Sequence, residues 1–218
     1  MKTLINVLIL SGENHGFAES AVVINKFLIA CDDMAVTLTE EKEILAASEI
    51  GNFDVLVFGT GFTRAAQQAD GSAKRVPELT LEQENGLFEF VRSGKGLVGI
   101  HGTGWWIGGR AVDLLGGHAN WHPPLLRFTI AIEDRDHQIT QGVDDFEAED
   151  EIYMSAYDPE IHILASAQWH DRSHPMVWAK PYGDGRVVYT TLGHTSAVFQ
   201  QIAMQRLFVQ AVQWAGEA

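Results

Sequence analysis

The chain has 218 residues, and its 15 Lys and Arg against 29 Asp and Glu give a formal net charge of −14. With 46% hydrophobic and 20% charged residues it has the composition of an ordinary globular protein, and its length suits one α/β domain over 1–218. The acidic balance excludes the clustered Lys and Arg of a nucleic-acid binder, and the single cysteine, Cys31, excludes a disulfide framework or a Cys-rich zinc site.

Leu4–Leu10 is a nearly continuous apolar run ending at Ser11-Gly12, as expected for a strand buried on both faces of a parallel sheet. It is far shorter than the roughly 20 residues of a spanning helix, so no membrane is implicated. No apolar segment with a cleavage site opens the chain, so a cytoplasmic protein is expected. Phe17–Ala30 carries Ala21, Ile24, Phe27 and Leu28 at helical spacing. Met34–Leu38 and Phe53–Phe58 read as the second and third strands. Segment 62–78 has no periodicity and contains the turn cluster Ala69-Asp70-Gly71-Ser72, so it is expected to be a mobile loop near the site. Thr80 caps a helix running to about Ser93, with Gln83 at the capping-box position and Gly94 as its stop. Gly96–Ile100 is the fourth strand.

This alternation predicts a doubly wound, mainly parallel sheet, with a ligand outside the carboxyl ends of its strands. Those ends are Gly12–Gly16, Gly59–Thr63 and His101–Trp106. In the second half, Leu125–Ile132, Ile161–Ala167, Met176–Trp178 and Val187–Thr191 read as added strands. Gly183-Asp184-Gly185 is a hairpin turn, and Phe199–Ala215 is a closing helix.

Gly99-Ile100-His101-Gly102-Thr103-Gly104 has the strand–turn–helix pattern of a nucleophile elbow. His101 stands where hydrolases and amidotransferases have Ser or Cys. The lone thiol, Cys31, lies at the far end of the first helix, so a cysteine glutaminase is excluded. No Gly-x-Gly-x-x-Gly follows the first strand and there is no P-loop, so no nucleotide cofactor is expected.

Six segments occur in order: Gly99-Ile100-His101-Gly102, Gly116-Gly117-His118, Asp136–Gly142, Asp150-Glu151-Ile152-Tyr153, Tyr182–Arg186 and Thr190–His194. With Ala211–Ala215 they resemble the trehalose-utilisation (ThuA-like) family, of the class I glutamine amidotransferase-like superfold. The resemblance implies a flavodoxin-like, three-layer sheet with added strands and a pocket at the elbow. It also implies a link to disaccharide catabolism, in which a partner dehydrogenase makes a 3-keto sugar.

His101, His194 and Glu151 lie on matching positions of that family and are the candidate catalytic set. Two chemistries suit them: binding one divalent metal such as Zn²⁺, or acid–base work on a keto sugar without metal. Candidate substrate-binding residues are His15, Trp105, Trp106, His118, Trp121, Tyr153 and Arg64, the aromatic faces suiting sugar rings. His118-Ala119-Asn120-Trp121-His122-Pro123-Pro124 reads as a loop, His170–His174 as a solvated one, and His162 as a strand residue. The expected partner is a small sugar, and a homodimer is the commonest assembly for such folds. The second reading is a non-catalytic sugar-binding domain that lost its nucleophile.

Overall fold

The computed structural model describes residues 4–13, 16–59, 63–106 and 110–217. In chain order its elements are β1 (Ile5–Leu10), α1 (Phe17–Leu28), β2 (Met34–Thr39), β3 (Val55–Phe58), β4 (Thr63–Gln67), β5 (Ala73–Pro77), α2 (Leu81–Arg92), β6 (Gly96–Ile100), α3 (Thr103–Trp106) and α4 (Arg110–Leu115). Then come β7 (Gly117–Trp121), β8 (Leu126–Ile132), β9 (Phe146–Asp150), β10 (Met154–Tyr157), β11 (His162–Trp169), β12 (Arg172–Tyr182), β13 (Gly185–Thr190) and α5 (Ile202–Gly216).

Nine strands form one sheet in the order β2-β1-β3-β6-β13-β12-β11-β8-β9. The first five are parallel neighbours, and the remaining four extend the sheet antiparallel. The parallel part has the 2-1-3-4-5 order of a flavodoxin-like sheet, as expected. Its apolar runs are continuous because both faces are covered. Val7 and Ile9 pack into a core with Phe17, Ala21 and Ile24 of α1 and Leu207 and Phe208 of α5. Leu8 and Leu10 pack on the other face with Leu87 and Val91 of α2 and Leu114 of α4. The expected capping box forms, since the Thr80 hydroxyl accepts from Gln83 N–H at 3.2 Å and the Gln83 side chain accepts from Thr80 N–H at 2.8 Å. Among the described residues no helix is long and apolar enough to cross a membrane.

Several expectations are corrected. Segment 62–78 contains an antiparallel hairpin, β4 with β5, closed at the predicted Asp70-Gly71 turn. Arg64, Ala65, Gln67, Ala73 and Lys74 of its strands are exposed, so no alternation of large apolar residues marks them. Gly117–Trp121 is β7, paired with β10, rather than a loop, and His122, Pro123 and Pro124 follow the strand. His170 and Asp171 form the turn of the β11–β12 hairpin, with φ of 47° and 60°, and His174 lies within β12. The first helix stops at Leu28 and the last begins at Ile202, after a single 3-10 turn at Val198–Gln200.

Candidate active site

His101 follows β6 with φ of 46°, a left-handed backbone that a branched residue would resist. The strained turn is held from several sides. His101 N–H donates to the Thr190 carbonyl at 2.7 Å, and the Tyr189 hydroxyl donates to the His101 carbonyl. Thr103 closes the turn through its hydroxyl to the carbonyls of Ile100 at 2.7 Å and Phe58 at 3.0 Å. Gly104 permits this packing, because a Cβ there would lie 2.6 Å from the Tyr189 hydroxyl.

The elbow leaves the imidazole buried. His101 is 1% exposed. Its Nδ1 lies 2.7 Å from the Thr191 carbonyl, and a carbonyl only accepts, so Nδ1 carries the hydrogen. Nε2 of the neutral ring is then an acceptor, and the Tyr153 hydroxyl donates to it at 2.8 Å. Burial pushes the Tyr153 phenol well above its ordinary pKa, and nearby Tyr189 and Glu151 add to the effect, so Tyr153 stays a donor.

Glu151 is the hub of the site. Its Oε2 lies 3.5 Å from His101 Nε2, and its Oε1 lies 3.2 Å from His194 Nδ1 and 3.4 Å from His122 Nδ1. The carboxylate is nearly buried, whereas His194 and His122 are about one-third exposed. The buried end is therefore His101 with Tyr153, and the open end is His194 with His122.

Asp150, fully buried beside Glu151, ties the two loops together. It accepts N–H bonds from Glu151 at 2.8 Å, Gly193 at 2.9 Å and His194 at 3.2 Å. Burial pushes its pKa up to about 6 despite those three donors. Gly193 has φ of 126°, which lets the chain after β13 turn back onto Asp150.

Trp105, on α3, bridges to the open end. Its ring meets Tyr153 at 5.7 Å and His122 at 6.1 Å, both edge-on, and His118 at 6.4 Å. The structure thus gathers His101, His194, Glu151, Tyr153, Trp105 and His118. Trp121 is exposed at the end of β7, and Arg64 is exposed on β4. His15 and the Trp106 side chain lie outside what the structure describes. His122, Asp150 and Tyr189 join the site without having been assigned to it from sequence. For His122 the available signal was its i, i+4 spacing from His118; for Asp150 it was only its place beside Glu151.

One ligand atom each from His101, Glu151 and His194 lies within 4.8 Å of the others. Two imidazole nitrogens and a carboxylate oxygen form a donor set suited to a catalytic Zn²⁺ or similar cation. Without a cation, the same groups can pass protons among themselves.

A family model described as ThuA, trehalose utilisation, matches residues 6–215. No curated protein matches the chain in sequence. A solved ThuA-like protein from Parabacteroides merdae matches with a TM-score of 0.74 at 19% identity, covering 99% of this chain and 90% of that one. Another from Bacteroides uniformis matches with a TM-score of 0.75 at 18% identity, covering 99% and 93%. A β-galactosidase from Bacillus circulans shares the fold over 97% of this chain but only 30% of its own, with a TM-score of 0.66 at 10% identity. At such identities these likenesses show fold alone.

Proposed function

The chain belongs to the ThuA family of trehalose utilisation, and from that premise we propose that it is a sugar-processing enzyme acting on a keto-disaccharide such as 3-ketotrehalose. The observation that carries this reading is the single Glu151 carboxylate set among three imidazoles, one buried and two reaching the open end. A ketone acidifies the adjacent C–H. Removing that proton moves its electron pair into an enolate. The enolate can then expel the glycosidic oxygen from the next carbon, and that oxygen takes up a proton as it leaves. Such a reaction needs a base and an acid within one site. His194 is placed to supply the proton to the leaving oxygen. Glu151 balances the charge, and the buried His101–Tyr153 pair lies beneath the carboxylate.

A second reading is favoured by the close donor set. His101, Glu151 and His194 would hold one divalent cation, which when bound would polarise the sugar carbonyl. Metal content of the purified, untagged protein tests it: about one equivalent, lost in His101→Ala and His194→Ala, supports the metal site.

Product analysis after incubation with 3-ketotrehalose tests the main reading. Conversion by the wild type that is lost in Glu151→Gln and His194→Ala supports it. Saturable binding with no product would replace it with a non-catalytic sugar-binding domain.

A further inference from the structure

We propose that a cavity on the antiparallel part of the sheet is a second ligand site, apart from Glu151, and that it takes a small neutral polyol about the size of a single sugar ring. The cavity has a volume of about 270 Å³ and is lined by Glu133, Tyr157, Ile163, Ser166, Ser173 and Pro175, none of which belongs to the Glu151 site. The inference goes beyond the keto-sugar reading and does not depend on it.

The way β11 breaks its own pattern carries the argument. Side chains of a regular strand alternate between the two faces of a sheet. Leu164, Ala165 and Ala167 all pack in the core with α1 and α5, whereas Ile163 packs on the opposite face. Two consecutive residues, Leu164 and Ala165, thus share one face, and the register with β12 shifts on both sides of Ala165. This bulge returns Ser166 to the Ile163 face, where it lines the cavity. An unbroken alternation from Leu164 would put its hydroxyl in the apolar core. Opposite Ser166 stands Pro175, which has no N–H to offer the ladder. Packing alone does not require a bulge, a buried serine and a proline at one point of a sheet, and such departures gather at functional sites.

The polar groups define the ligand. Ser166 is 1% exposed, and its hydroxyl donates to Glu133 Oε1, which holds the carboxylate at the cavity wall. Glu133 forms no ion pair among the described residues, so its Oε2 can accept from a ligand. Tyr157 and Ser173 are exposed, and their hydroxyls both donate and accept. Sugar hydroxyls also do both and can satisfy all three groups. An ammonium group only donates and would leave the tyrosine and serine donors unmatched. An anion would face the Glu133 carboxylate. Ile163, Pro175 and the Tyr157 ring suit the C–H face of a sugar. The volume lies below the roughly 300–1,000 Å³ of pockets for drug-sized ligands, which suits one ring rather than a disaccharide.

Methyl NMR of Ile163, assigned through Ile163→Val, reads this cavity apart from the Glu151 site. The probes are D-glucose, D-galactose and D-mannose, with ethylammonium as the cationic comparison. At least one of the sugars is expected to shift the Ile163 signal saturably in the wild type. Glu133→Gln keeps the shape of the side chain and should weaken that response on the order of tenfold, through loss of a hydrogen bond to a charged group. Ser166→Ala should weaken it too, whereas Trp105→Ala, which alters the other site, should leave it unchanged. A signal unmoved by all three sugars, or moved equally in the wild type, Glu133→Gln and Ser166→Ala, would overturn the proposal. A saturable shift with ethylammonium alone would overturn it as well, by making the ligand a cationic amine. Conversion of 3-ketotrehalose is read separately, so either idea can fail without the other.

Discussion

The Tyr153 hydroxyl donates to Nε2 of His101 at 2.8 Å, closing the second end of an imidazole whose Nδ1 already donates to the Thr191 carbonyl. The pair fixes the floor on which Glu151 sits. Tyr153→Phe removes the donor and leaves a buried acceptor unsatisfied, at a cost of roughly 1–3 kcal/mol. Urea unfolding of the two proteins measures this. Equal stability would mean that Nε2 does not depend on Tyr153.

His101 occupies a left-handed backbone position, φ 46°. Replacing it separates the role of the ring from that of the turn. Both His101→Ala and His101→Gly lose the buried imidazole, so both should lose turnover. Only glycine relaxes the backbone, and the glycine variant should be about 1 kcal/mol the more stable of the two. Thermal unfolding of the pair checks the ordering, and a less stable glycine variant would contradict a strained elbow.

Asp150 uses both carboxylate oxygens as acceptors for three backbone N–H groups. In Asp150→Asn one acceptor becomes an NH₂ group facing a backbone donor. The loop carrying His194 should shift, with turnover falling more than tenfold while the sheet persists. Circular dichroism and kinetics together test this. Full activity in the variant would mean that the loop holds its shape without the carboxylate.

The parallel core was legible in the sequence because it is driven by burial. Val7 and Ile9 on one face of β1, with Leu8 and Leu10 on the other, make the continuous apolar run that marks a central strand. Thr80 and Gln83 marked their helix by local hydrogen bonding. β7 was not legible, although Gly117, Ala119 and Trp121 alternate with His118 and Asn120, because Gly116-Gly117 and Pro123-Pro124 flank it, and its pairing with β10 comes from tertiary context. The site divides in the same way. His101 was legible from the glycines that its turn requires. His122 was hidden because its partner in the site, Glu151, is distant in sequence, and Asp150 because its three N–H partners include two about 40 residues away, at Gly193 and His194.

Far from the site, Asp54 joins the amino ends of three parallel strands. It accepts from Asn6 N–H at 2.9 Å, Asn6 Nδ2 at 3.1 Å and Lys95 Nζ at 3.0 Å. Burial alone would raise its pKa, but the Asn6 bonds and the Lys95 ammonium together hold it below the ordinary 3.8. A depressed native pKa gives stability that is present above 3.8 and lost as pH falls through the lower native value. Asp54→Asn should therefore unfold more easily at neutral pH, with the gap to the wild type closing as pH falls below the ordinary 3.8 and through the lower native value. Catalytic activity at neutral pH should be unchanged. A stability gap constant across pH would mean that the loss comes from packing rather than charge.

Trp105 stands between the buried and open parts of the site, 38% exposed, with its ring against Tyr153 and His122. It is in position both to stack on a sugar and to hold the His122 ring, and kinetics can tell these apart. A stacking face contributes to ground state and transition state alike, so Trp105→Ala should raise KM about tenfold and change kcat less. Trp105→Phe, which keeps a smaller aromatic face, should fall between. If Trp105 instead serves to hold His122, kcat should drop while KM stays put, because the imidazole beside Glu151 would be misplaced but the sugar still bound. The first pattern makes Trp105 a substrate contact; the second makes it a positioning residue for His122.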